Sequence, residues 1–127
     1  MNSNSPTYID ASSPDTLGSD SLSIALIGPD EQRRKEAASA LLRCDGAKVR
    51  EYTAYPATLD EVPRLLEQRN DVIIIDLDSN PEFALELVES ICANGSATVM
   101  VYSSKPDPEL LVRCKRAGAR RFLTPPF

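Results

Sequence analysis

The most constraining stretch of this sequence is Asp71-Val72-Ile73-Ile74-Ile75-Asp76, four consecutive β-branched apolar residues between two aspartates. A strand that is apolar at successive positions needs two dry faces. It belongs at the centre of a parallel sheet covered by helices on both sides. Two further runs have the same character. Ser23-Ile24-Ala25-Leu26-Ile27 stops at Gly28-Pro29, and Ala97-Thr98-Val99-Met100-Val101-Tyr102 leads into Ser103-Ser104.

Helical patterns separate these runs. Asp30 is placed to cap a helix over about 31–43, with Ala37, Ala38, Leu41 and Leu42 inward and Arg33, Arg34, Lys35 and Glu36 toward water. Asp45-Gly46 closes it. Lys48 to Ala54 alternates weakly, as an edge strand does. Thr58-Leu59-Asp60-Glu61 has the form of a capping box opening a helix to about Gln68, with Pro63 in or near its first turn. Pro81 begins a helix through Phe83, Ala84, Leu87, Val88 and Ile91 that Asn94-Gly95 ends. Asp107-Pro108 starts a last helix over about 108–117, Gly118 stops it, and Arg121-Phe122-Leu123-Thr124 forms the final strand.

The order βαβαβαβαβ defines an α/β fold, a doubly wound, five-stranded parallel sheet with right-handed crossovers. In such sheets the functional crevice lies beyond the carboxyl ends of the strands. The residues placed there are Gly28, Pro29, Asp30, Asp76, Asp78, Ser103, Ser104 and Pro125.

Length and composition narrow the function. At 127 residues the chain suits one domain over 22–127, and the Ser-, Asn-, Pro- and Asp-rich residues 1–21 read as a flexible tail. That opening lacks both the basic and the apolar regions of a signal peptide. No apolar run approaches the roughly 20 residues that span a bilayer. A net charge of −5 argues against nonspecific nucleic-acid binding, and no aromatic side chains interleave with the basic residues. The chain has no histidine, which removes imidazole bases, Ser-His and Cys-His nucleophiles and histidine metal sites together. Cys44, Cys92 and Cys114 form no C-x-x-C pair and read as reduced thiols. Neither G-x-x-x-x-G-K-[ST] nor G-x-G-x-x-G occurs.

Over about residues 22–127 the sequence resembles the receiver (CheY-like) domain of two-component response regulators. The resemblance rests on Asp76 ending the third strand, Ser103-Ser104 after the fourth, and Gly118-Ala119 followed by Phe122-Leu123-Thr124-Pro125-Pro126-Phe127. It implies a flavodoxin-like sheet in strand order 2-1-3-4-5. It also assigns Asp76 to the phosphoacceptor position and Ser103 to the hydroxyl switch. Receivers hold Mg²⁺ with an acidic pair after the first strand and use a lysine after the fifth to neutralise the phosphoryl group. Here those positions are Gly28-Pro29, with only Asp30 nearby, and Pro125; Lys105 lies on a different loop.

The resemblance is therefore to a degenerate receiver that is not an enzyme and holds no cofactor. Weak Mg²⁺ binding by Asp30, Asp76 and Asp78 is the one exception, because three carboxylates in one crevice repel without a cation. Asp30 serves equally as a helix cap. Among such domains the chain most resembles the amino-terminal module of CpaE/TadZ-type pilus-assembly proteins. This implies a bacterial cytoplasmic, even polar, location and a ParA/MinD-like ATPase or other output domain, fused or associated. A fifth helix, which receivers carry after the last strand, is absent from this chain, so a fragment of a longer protein, with homodimerisation as a consequence, is the expectation. Arg113, Lys115, Arg116, Arg120 and Arg121 form the candidate partner surface, with a merely solvated basic face as its alternative. A phosphorelay receiver using Asp76 is the rival function, and a flavodoxin-like ligand binder a weaker third.

Overall fold

The computed structural model describes residues 21–105 and 107–127. The expected tail, apart from Ser21, lies outside the described residues. Five strands alternate with helices: β1 (Leu22–Ile27), α1 (Glu31–Leu42), β2 (Ala47–Tyr52), a 3₁₀ turn (Leu59–Glu61), α2 (Val62–Leu66), β3 (Val72–Asp76), α3 (Pro81–Asn94), β4 (Thr98–Tyr102), α4 (Pro108–Ala117) and β5 (Arg121–Leu123). All pairings are parallel and the strand order is β2-β1-β3-β4-β5. This is the doubly wound, flavodoxin-like order expected from the sequence.

Every residue of β3 is buried, as its two-sided apolar run requires. Ile73 and Ile75 point into the larger core, where Ala25, Ile27, Val99 and Val101 meet Ala84, Leu87, Val88 and Ile91 of α3. Val72 and Ile74 point the other way, into a smaller core with Ile24, Leu26 and Tyr102 under Ala37 and Ala38 of α1. Each fully buried aliphatic side chain contributes about 1.5–3 kcal/mol relative to exposure. The alternation continues to the strand end, so Asp76 emerges on the α1 side of the sheet.

Local signals set most helix ends. Asp30, Asn80 and Asp107 accept hydrogen bonds from backbone amides of the first turns of α1, α3 and α4. Two expectations fail locally. The Thr58 side chain makes no capping bond, and Glu61 accepts from the Ala57 amide instead, so no capping box forms. Pro63 has no N–H to give the Leu59 carbonyl, and the Val62 amide takes it in a 3₁₀ turn, delaying and shortening α2.

The inner stripe of α1 also differs from expectation. Arg34 is buried in it, and the stripe runs through Arg34, Ala37, Ala38 and Leu41. Centring on Arg34 rotates Leu42 out to 62% exposure. Arg34 tolerates this position because its Nη1 donates to the Gly28 carbonyl (2.8 Å) and its Nε to Glu51 (2.9 Å).

Gly118 ends α4 at φ 117°, donating its amide to the Cys114 and Lys115 carbonyls. A Cβ there would lie 2.6 Å from Cys92 Sγ and 2.9 Å from Cys92 Cβ. Gly118→Ala is expected to cost more than about 1 kcal/mol, because left-handed backbone strain and a clash act together. Gly95→Ala, at an extended φ of −143° and 3.0 Å from the terminal methyl of the Leu66 side chain, should cost less. Urea unfolding of the two variants measures the difference.

Candidate functional site

At the carboxyl ends of β1, β3 and β4 three carboxylates gather around one guanidinium. Asp30 caps α1, accepting the Arg33 amide at 2.9 Å, and this fixes the first helical turn. From that turn the Arg33 side chain reaches over the sheet rather than toward water. Its Nη2 donates to Asp76 Oδ2 at 3.0 Å and to Ser79 Oγ at 3.1 Å. Nη1 stands 3.4 Å from Asp30 Oδ2, and Nε 3.7 Å from Asp78 Oδ2. The expectation that Arg33 and Arg34 face water is thus overturned for both. The converging carboxylates supply the charge that draws one in, and Glu51 with the Gly28 carbonyl holds the other.

Asp76 is fully buried, and both of its oxygens are engaged. Oδ1 accepts the Asp78 amide at 3.0 Å; Oδ2 accepts Ser79 Oγ at 2.6 Å in addition to Arg33. The Tyr55 hydroxyl donates to the Asp76 carbonyl at 2.5 Å, and its ring leans on Phe83. Burial pushes the Tyr55 phenol far above its ordinary pKa, so it remains a donor.

The hydroxyl at the switch position does not face Asp76. Ser103 is buried and donates to Asp78 Oδ1 at 2.5 Å, while the Ser104 amide and hydroxyl bond Asp78 Oδ2 at 2.9 and 2.7 Å. Burial alone would raise the Asp78 pKa, but the hydrogen bonds from Ser103 and Ser104 and the Arg33 charge outweigh it and hold the carboxyl below its ordinary value. Burial likewise disfavours a charged Arg33, yet Asp76, Asp30 and Asp78 keep its pKa raised.

The receiver resemblance implies Mg²⁺ here, and the residues present do not fit it. The first-strand acidic pair falls at Gly28-Pro29; neither residue has a carboxylate, and at Gly28 a Cβ would fall 1.9 Å from the Tyr102 hydroxyl. The place among the carboxylates that a cation would take belongs to Arg33. No group of three or more candidate ligands arranged to hold a metal occurs among the described residues. Lys105 is exposed and Pro125 has no charged group, so neither supplies a buried positive charge.

On the candidate partner surface Arg113 makes a two-pronged pair with Glu82 of α3 (3.0 and 2.8 Å). Lys115, Arg116, Arg120 and Arg121 are exposed. Sequence reasoning missed Arg33, Ser79, Tyr55 and Tyr102. One signal was available: three mutually repelling carboxylates demand a cation, and Arg33 lies one helical turn from Asp30.

The fold is similar to that of response-regulator receiver domains. A response regulator from Thermotoga maritima superposes with a TM-score of 0.70 at 21% identity, over 84% of this chain and 87% of that one. Two of the similar structures are ascribed to pilus assembly. A CpaE protein from Burkholderia thailandensis matches at TM-score 0.70 and 21% identity, over 84% of this chain and 87% of its own. A pilus assembly-related protein from Burkholderia pseudomallei matches at 0.73 and 18%, over 85% and 81%. No protein-family model matches the sequence, and comparison with curated proteins gives no match.

Arg33→Met should destabilise the domain by about 3 kcal/mol, since it strands a buried carboxylate without its cation. Adding Asp76→Asn should recover part of that loss in a urea double-mutant cycle. The depressed Asp78 pKa fixes a pH dependence. Between its folded and unfolded pKa values the unfolded chain binds more protons, so this stabilisation is complete above about pH 4 and is lost as pH falls further. Urea midpoints measured from pH 7 to pH 3 should therefore drop less in Asp78→Asn than in the parent protein.

Proposed function

We propose that this chain is a degenerate receiver that works as a protein-interaction and positioning module, without phosphoryl transfer. The observation that carries the reading is the engagement of Asp76. Attack on a phosphoryl group needs a carboxylate oxygen free to approach in line and a cation free to neutralise the transferred charge. Asp76 Oδ2 already holds the Arg33 guanidinium and the Ser79 hydroxyl, and Oδ1 holds a backbone amide. Ser103, the other switch element, is committed to Asp78.

The module is taken as residues 22–127, with residues 1–21 as its leader. The pilus-assembly neighbours support a role in pilus assembly. A ParA/MinD-like ATPase or another output domain as partner, fused or associated, in the bacterial cytoplasm and even at a pole, is what the CpaE/TadZ resemblance implies. The exposed guanidinium groups of Arg116, Arg120 and Arg121 support contact through α4 and β5, with a partner or a second copy. No helix among the described residues is long and apolar enough to cross a membrane.

Intact-mass spectrometry after incubation with acetyl phosphate and Mg²⁺ tests the central point, with Asp76→Asn as control. The expected spectrum shows no phosphate adduct on folded protein. An adduct that disappears in Asp76→Asn would instead make the chain a phosphorelay receiver.

A further inference from the structure

Tyr102 is fully buried, yet its hydroxyl has no hydrogen-bond partner among the described residues. Such a group carries a desolvation cost, so its retention calls for a reason. Its position supplies one. Gly28, Asp76 and Tyr102 lie at the ends of β1, β3 and β4, and Asp76 stands in register with Tyr102. All three fall on the α1 side of the sheet by the alternation of their strands. A Cβ at Gly28 would lie 1.9 Å from the Tyr102 Oη, 3.2 Å from its Cζ and 3.3 Å from Asp76 Cβ. The ring itself is held edge-on by Phe127, with centroids 6.0 Å apart. The phenol tip therefore fills the volume that any side chain at position 28 would enter.

We propose that Gly28 and Tyr102 are an interlocked pair that decides which cation the crevice accepts. With the phenol in place position 28 cannot carry a carboxylate beside Asp76, and Pro29 supplies none at the second position of the pair. The remaining acids, Asp30, Asp76 and Asp78, are then served by a planar, multidentate guanidinium from α1. This deepens, and rests on, the reading of the crevice as one that carries its own counter-ion. The guanidinium lies 3.0–3.7 Å from all three carboxylates, hydrogen-bonded to Asp76 and ion-paired with Asp30 and Asp78, a spread that a broad planar cation accommodates. A small hard cation demands tight, near-octahedral oxygen ligands instead.

A thermal double-mutant cycle tests the interlock. Gly28→Ala should lower Tm by at least about 10 °C in the parent protein, because the overlap cannot relax in a packed core. In the Tyr102→Phe background the nearest obstacle is a ring carbon rather than the hydroxyl, and the loss should be less than half as large. Tyr102→Phe alone should leave Tm unchanged or raise it. Equal losses in the two backgrounds would overturn the interlock.

Cation choice is read separately, by tyrosine-sensitised Tb³⁺ luminescence displaced with Mg²⁺. The parent protein should give no more signal than Asp76→Asn. Gly28→Asp/Tyr102→Val/Arg33→Ser should give a Mg²⁺-displaceable signal that a further Asp76→Asn abolishes. A folded triple variant without that signal would overturn cation choice by this pair. Should the parent protein itself bind Mg²⁺ and accept phosphate at Asp76, the self-neutralised reading fails, while the Gly28–Tyr102 cycle still reports the interlock on its own.

Discussion

A carboxylate cannot remain charged in a dry interior without a cation, and Asp76 has no exposed surface at all. The geometry around the crevice follows from meeting that demand. Arg33 can supply the charge only if α1 begins where it does, and Asp30 sets that beginning by capping the Arg33 amide. Asp30 and Asp78 then add their own charge around the same guanidinium, and Ser103 and Ser104 turn to satisfy Asp78. The outcome is a polar network that fills the crevice around Arg33; of that side chain's buried atoms, Nε alone has no hydrogen-bond partner among the described residues. In a low-dielectric setting such a network is strong when complete and costly when one member is removed.

The sequence and the fold agree where a signal is local or strictly periodic. Ile73, Ile74 and Ile75 announce a two-sided strand because β-branched residues in succession have few other uses. Asp30, Asn80, Asp107 and Gly118 mark helix ends through chemistry confined to one turn. Thr58 and Glu61 show the limit of that kind of signal. Their spacing matches a capping box, but a proline two residues on removes the amide that an α-helical start requires. The receiver likeness was also readable, through the order and spacing of Asp76, Ser103 and the Gly118-to-Phe127 stretch, and the superpositions agree with it.

What was illegible in the crevice is the direction of long side chains. Arg33 and Arg34 are consecutive residues in a run of four charges, and a run of that kind ordinarily lies in water. Their burial depends on partners 43 and 17 residues away, Asp76 and Glu51, which no local window contains. Tyr102 is hidden for the opposite reason. An aromatic at the end of a buried strand is unremarkable, and only the lack of a side chain at Gly28 gives it meaning. The missing first-strand acid was visible as an absence; the group that stands in its space was not.

The two neighbouring arginines of α1 pull apart. Arg33 binds the end of the central strand, whereas Arg34 ties down the Gly28 carbonyl and, through Glu51, the edge strand β2. Helix termini ordinarily fray first and exchange their amides fastest. Here the first turn of α1 is riveted to three strands at once, while its far end runs out through exposed Leu42 and Arg43. With the anchors placed this way, fraying of α1 is expected to begin at its carboxyl end, and anything that loosens the carboxylates is expected to loosen the edge of the sheet with the amino-terminal turn.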